Sequence, residues 1–140
     1  MSEKFKILTQ FVKDMSSETP DVETYLYVKE YLKNYNLNID ITTKPLKSRM
    51  IEVNTKLCYI DKGKSKNKSH FEITYASIIK INEQIKDRKI IEKIILCDVQ
   101  KEIYPNLEKV FINLLSNSGF PGIKFEKKVD FEQLYNQRLN

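Results

Sequence analysis

The stretch Met50-Ile-Glu-Val-Asn-Thr-Lys-Leu-Cys-Tyr-Ile-Asp61, with Lys62-Gly-Lys-Ser-Lys-Asn-Lys-Ser69 and His70-Phe-Glu-Ile-Thr-Tyr75 behind it, decides the fold class. Ile51, Val53, Thr55, Leu57 and Tyr59 alternate with Glu52, Asn54 and Lys56, and Phe71, Ile73 and Tyr75 alternate with His70, Glu72 and Thr74. A period of two puts each set on its own face of a strand. Two such runs joined by a polar, glycine-containing loop predict an antiparallel hairpin. The lysines of the loop keep its tip solvated and discourage edge pairing, and they are the one place where phosphates would find clustered charge.

Upstream, Leu37, Ile39 and Ile41 alternate with Asn38, Asp40 and Thr42, which predicts another half-buried strand. Lys4 to Glu18 reads as extended, with Phe5, Ile7 and Phe11 on one side and Asp14, Ser16 and Glu18 on the other, until Pro20 stops it. Residues 21–36 are open: the 22/25/26 spacing permits a helix, while the density of tyrosine and valine favours extended structure.

Downstream the period changes. Asn82 is placed to cap a helix reaching about Lys101, with Ile85, Ile91, Ile94, Ile95 and Val99 on its apolar face. Pro105 suits the first turn of a second helix, in which Leu107, Val110, Phe111, Leu114 and Leu115 form an i, i+3, i+4, i+7, i+8 stripe. Ser118-Gly119 ends that helix, and Asp130, with Gln133 three residues on, starts a short last one that buries Phe131, Leu134 and Tyr135. Strands first and helices after give an α+β fold, an antiparallel sheet with helices packed on one face. No repeat or linker interrupts it, so residues 1–140 read as a single domain.

Composition narrows the function classes. The 140 residues carry 24 Lys plus Arg against 19 Asp plus Glu, a net charge of +5, with 41% hydrophobic and 31% charged residues. That is a foldable chain rather than a disordered one. Arginine stands only at Arg49, Arg88 and Arg138, so lysine supplies the charge without the planar fork that nucleic-acid recognition favours. Cys58 and Cys97 are far apart and His70 is the only histidine, so no metal-ligand set is expected. Three glycines make neither a GxGxxG turn nor a Walker loop, and no cofactor is expected. His70 and Glu72 could exchange protons, yet no nucleophile or oxyanion device accompanies them, so no catalytic residue is expected. The N-terminus carries no secretory signal and no run is apolar enough to span a bilayer, which predicts a cytoplasmic chain without direct membrane insertion. Eight Tyr and seven Phe exceed what the core stripes require. The surplus rings suit either a groove for extended, non-native polypeptide or an interface between copies of the chain.

Several motifs carry a resemblance. Val12-Lys-Asp14-Met-Ser16-Ser-Glu18-Thr-Pro20, Tyr104-Pro105, Gly119-Phe-Pro121 and Val129-Asp-Phe131-Glu-Gln-Leu134-Tyr135 occur in an order and spacing that resembles the SecB family of protein-export chaperones, over essentially the whole chain. The resemblance implies a homotetramer, a dimer of dimers, each subunit holding a four-stranded antiparallel sheet with long helices. It implies ATP-independent holding of unfolded preproteins and their delivery to the motor SecA. SecA would dock on an acidic sheet surface, at positions matching Asp14, Glu18, His70 and Glu72, of which His70 stands where the family usually has an apolar residue. The net positive charge is a second departure, because family members are typically acidic. For the client groove the candidates are Tyr25, Leu26, Tyr27 and Tyr31 in the 21–36 connector, with Phe120, Leu134 and Tyr135 near the last helix. Two other readings stand beside this one: a SecB-like chaperone dedicated to one client such as an antitoxin, and a basic nucleic-acid-binding domain centred on Lys62 to Lys68.

Overall fold

The computed structural model describes residues 3–125 and 129–138, the side chain of Arg138 excepted. Four strands form one antiparallel sheet in the order β1-β4-β3-β2, with β1 at Phe5–Glu18, β2 at Tyr35–Pro45, β3 at Met50–Asp61 and β4 at His70–Ile81. The expected hairpin is β3–β4, in register from Met50 opposite Lys80 to Tyr59 opposite Phe71. Its inner face buries Val53, Leu57 and Tyr59 of β3 against Phe71, Ile73, Tyr75 and Ile79 of β4. At about 25 cal/mol per Å² of apolar surface removed from water, each of these side chains is worth roughly 1.5–3 kcal/mol, which fixes the register.

β1 and β2 are the edge strands. β1 carries register shifts between Ile7 and Thr9 and between Val12 and Asp14. The first has a consequence for facing: Phe5 and Ile7 lie opposite Ile81 and Ile79 of the inner face, but Phe11 lies opposite Ala76 and shares the outer face with Asp14, Ser16 and Glu18. The expected division of β1 into two sides therefore fails at Phe11, because each shift breaks the strict alternation.

The 21–36 connector is helical. α1, Val22–Tyr31, starts where the Asp21 carboxylate accepts the Thr24 N–H at 2.7 Å, a bond that also holds this carboxyl below its ordinary range. Burial of Thr24 and Val28 then outweighs the modest helix propensity of the tyrosines. A single 3-10 turn, Leu32–Asn34, leads into β2.

The next helix, α2, spans Arg88–Lys93 and is capped by Asp87 rather than Asn82. Asn82 is occupied elsewhere: its Oδ1 accepts the Gln84 N–H and its Nδ2 donates to the Glu3 carbonyl, both at 2.9 Å. Arg49 donates to the carbonyls of Asn82 and Ile85, which holds this segment as a turn. α2 passes through a π turn, Ile94–Asp98, directly into α3, Val99–Asn117. Pro105 therefore lies inside a helix and does not begin one. An internal proline costs about 3 kcal/mol. Burial of Ile103, Leu107, Phe111 and Leu115 on the sheet exceeds that, so the helix continues through it. The Gln100 side chain ties the layers together inside the core, its Oε1 accepting from the Thr55 hydroxyl at 3.0 Å.

α3 ends as the sequence predicts. Gly119, at φ +99°, donates to Ser116 and Phe120 donates to Leu115, the paired bonds of a Schellman cap. α4, Phe131–Arg138, begins with the Asp130 carboxylate accepting the Gln133 N–H at 3.0 Å. It packs against the preceding helix through Phe131, whose ring meets Tyr104 edge-on at 5.3 Å.

Candidate functional site

Two surfaces follow from this layering. β2 lies at the edge of the sheet, so its inner-face residues Leu37, Ile39 and Ile41 are only half-buried. Facing them stand α4, Lys124, Phe125 and Val129, and between lies an open groove of about 920 Å³. It continues past Ile39 into a further hollow of about 300 Å³ lined by Asp40, Ile41, Leu134 and Gln137. From Tyr35 to Ile41 the strand runs about 20 Å at roughly 3.4 Å per residue. The apolar lining is Leu37, Ile39, Tyr59, Phe125 and Leu134, with Tyr59 packed edge-on against Phe125 at 5.5 Å and tilted against Tyr35 at 5.4 Å. Burial pushes the Tyr35 and Tyr59 hydroxyls up from their ordinary value, so both rings stay neutral. Gln133 and Gln137 of α4 supply donors and acceptors that an extended backbone can use.

A second, smaller depression of about 430 Å³ is lined by Tyr25, Lys29, Leu32, Gly119, Phe120 and Pro121. The Tyr25 hydroxyl donates to the Gly119 carbonyl at 2.7 Å, and its ring lies 5.1 Å from Phe120.

The candidate client residues are thus dispersed. Leu134, 40% exposed, forms a wall of the large groove, whereas Tyr135 beside it is turned into the core. Tyr25 and Phe120 meet at the small depression, Phe120 as a buried residue. Tyr27 and Tyr31 pack against each other at 4.6 Å on α1. Leu26, 59% exposed, lines neither hollow. The groove residues Leu37, Ile39, Ile41, Tyr59 and Phe125 were not among the sequence candidates. Their alternation was legible, but their exposure depends on β2 being an edge.

Register puts Asp14, Glu18, His70 and Glu72 on the outer face together, Glu18 opposite His70 and Ser16 opposite Glu72. The face is not acidic, however. Asp40 and Glu52 join these carboxylates, and Lys6, Lys13, Lys44, Lys56 and Lys80 share the face with them. Lys13 pairs with Glu52 at 2.6 Å and Lys56 with Glu72 at 2.9 Å. Among the described residues, Asp14 and Glu18 are exposed and make no ion pair. The Cys58 thiol also donates to Glu72, at 3.2 Å, and His70 lies 3.8 Å from the same carboxylate. Burial and this neighbouring carboxylate push the Cys58 thiol up to about 11, so it stays protonated, the opposite of an activated nucleophile.

Hydrogen bonds from Lys56 and Cys58 hold the Glu72 carboxyl below its ordinary value of 4.5. A carboxyl lowered on folding contributes stability that is complete above its unfolded value and disappears as pH falls through the folded one. Between pH 7 and pH 3.5, the wild-type chain is therefore expected to lose more of its urea midpoint than Glu72→Gln does. Parallel losses in the two chains would show that the cluster contributes nothing to stability.

Comparison with known proteins agrees with this architecture. The family described as SecB, preprotein translocase subunit SecB, matches residues 1–140. The chain is 56% identical to a SecB relative of Pelagibacter ubique (strain HTCC1062) over 140 residues, covering 100% of both. It is 26% identical over 136 residues to the protein-export protein SecB of Parvibaculum lavamentivorans, covering 96% of this chain and 79% of that one. Among solved structures, the Mycobacterium tuberculosis SecB-like chaperone in complex with a ChAD peptide from an antitoxin superposes with a TM-score of 0.62 at 10% identity, covering 89% of this chain and 91% of that one. With a four-stranded antiparallel sheet, helices on its inner face and a family match along the whole chain, the protein belongs to the SecB family of protein-export chaperones.

Proposed function

We propose that the chain works as one SecB-like domain over residues 1–140, an ATP-independent holdase that keeps unfolded secretory precursors in solution in the cytoplasm and passes them to SecA. The observation that carries this reading is the open groove between β2 and α4, about 20 Å long and apolar along its floor. A folded protein has no extended apolar segment to lay there, so the groove selects for non-native chain. Each contact is weak, and holding a long client requires several grooves at once. The exposed apolar residues of β1, Leu8, Phe11, Val12 and Met15, support self-association through that edge strand and hence a homotetramer built as a dimer of dimers. SecA contact falls on Asp14 and Glu18 with His70 and Glu72 beside them. Because Lys56 already holds Glu72, the free carboxylates of β1 carry most of the attraction.

A second reading, a chaperone dedicated to one client, is favoured by the solved neighbour that holds an antitoxin peptide. One experiment separates the two. A urea-unfolded secretory precursor is diluted at physiological salt without ATP, with and without stoichiometric protein, and light scattering is followed. Suppressed aggregation, with no binding to the same precursor once folded, is the expected result. Absence of protection for several unrelated precursors would favour the dedicated reading.

A further inference from the structure

The groove has a charged end. Lys33 and Lys124 line it near Tyr35, and both are exposed. The β3–β4 loop lies at that same end: Tyr35 is in register with Asp61, and the Ser69 N–H donates to the Tyr35 hydroxyl at 3.0 Å. Within the loop the Asp61 carboxylate is turned onto the Gly63 N–H at 2.7 Å, and the Lys68 ammonium is held by the Gly63 carbonyl at 2.6 Å. Lys62, Lys64 and Lys66 are left exposed, and among the described residues none of them makes an ion pair. Asp40, at the opposite end, belongs to the outer face by its register with Lys56, and Asp130 at the start of α4 is the acidic residue among those lining the main groove. The hollow is therefore basic where β2 begins, with Lys33, Lys124 and the loop lysines outnumbering Asp130.

Resting on the client-groove reading, we propose that this basic end sets client choice. The preferred client segment is a short apolar stretch with aspartates and glutamates on one flank, laid so that the flank meets Lys33 and the Lys62–Lys66 tip. The apolar stretch fills the groove between Leu37 and Leu134. The acidic flank adds attraction of the screened, solvent-exposed kind, which selects and orients a client more than it holds it. The same lysines repel a basic flank, so the groove discriminates by sign.

Three fluorescent peptides test this, sharing one apolar core of leucine, phenylalanine and valine. Their flanks are Asp-Glu-Asp, Ser-Gly-Ser or Lys-Arg-Lys, and a fourth peptide carries the acidic flank without the core. Anisotropy titrations at about 50 mM and about 500 mM salt are expected to show the acidic-flank peptide binding about fivefold or more tighter than the neutral one at low salt, with the gap closing at high salt. The triple variant Lys62→Gln, Lys64→Gln, Lys66→Gln is expected to shrink that gap and leave the neutral peptide unchanged. Equal binding of all three flanks, or preference for the basic one, would overturn the proposal while leaving the groove reading intact. Equally tight binding of the coreless peptide would overturn it too, showing a separate polyanion site on the loop. If the neutral peptide fails to bind, the groove reading itself falls.

Discussion

Leu134→Asp combined with Ile39→Asn is expected to abolish suppression of precursor aggregation while the chain stays folded. Both side chains line the groove, from opposite sides; Leu134 is 40% exposed, and Ile39 is half-buried at the margin of the core, so asparagine there keeps its polar end toward the open groove. Each apolar contact removed from a bound client is worth about 1.5–3 kcal/mol, and placing a carboxylate against apolar chain adds a desolvation cost. Together the changes weaken each groove by about 3–6 kcal/mol, a hundredfold or more in affinity. The informative control is Leu26→Asp. This leucine lies on α1 and lines neither hollow, so its substitution is expected to leave holding at the wild-type level. Circular dichroism and thermal melting within a few degrees of wild type establish that the variants are folded. The reverse pattern, with holding lost in Leu26→Asp and kept in the double variant, would move the client site to the tyrosine-rich helix.

That control reflects where sequence reading stopped. Strict alternation made β3 and β4 legible, because a hairpin with one buried face has a single register that buries its apolar set. The end of α3 was equally legible, since Ser118-Gly119 must leave the helix through a left-handed residue and Gly119 does so. Local signals misled wherever a side chain had a competing use. Asn82 looks like a cap but closes a turn against Gln84 and Glu3, so the helix waits for Asp87. Pro105 looks like a beginning but is carried inside a helix by the buried face around it. The candidate site suffered from a different gap. Alternation in β2 states that Leu37, Ile39 and Ile41 are half-buried, which is also how the lining of a groove reads. Only strand order puts them at the sheet edge, and only the placement of α4 leaves an open groove over them. Asp14, Glu18 and Glu72 do share the outer face, yet the lysines beside them come from β3, where Lys56 takes Glu72, and from a shifted register in β1, where Lys13 takes Glu52, and a linear reading aligns neither with that face.

Gly119→Ala is expected to be the most damaging small substitution in the chain, because it joins backbone strain to a steric conflict. At φ +99° any residue with a side chain is disfavoured by about 1–2 kcal/mol. An added Cβ would also stand 2.5 Å from Tyr25 Cε1 and 3.1 Å from Tyr25 Cζ, so the ring must leave. With it go the hydrogen bond from Tyr25 to the Gly119 carbonyl and the packing on Phe120, each worth about 0.5–1.5 kcal/mol. The sum is about 2–5 kcal/mol, or a fall of roughly 6–15 °C in Tm at about 3 °C per kcal/mol for a chain of this size. Gly122→Ala is the matched control: its φ is also positive, at +81°, but nothing lies within 4 Å of the added carbon. It is expected to lose only the strain. Equal losses at the two glycines would show that the Tyr25 contact contributes nothing to stability. A larger loss at Gly119 that is largely cancelled in Tyr25→Ala would assign the difference to the ring. Because Tyr25 and Gly119 line only the small depression, peptide binding in the β2–α4 groove is expected to persist in Gly119→Ala below its lowered Tm. Stability and holding would then separate, the first depending on how α1 is latched to the end of α3 and the second on the uncovered edge of the sheet.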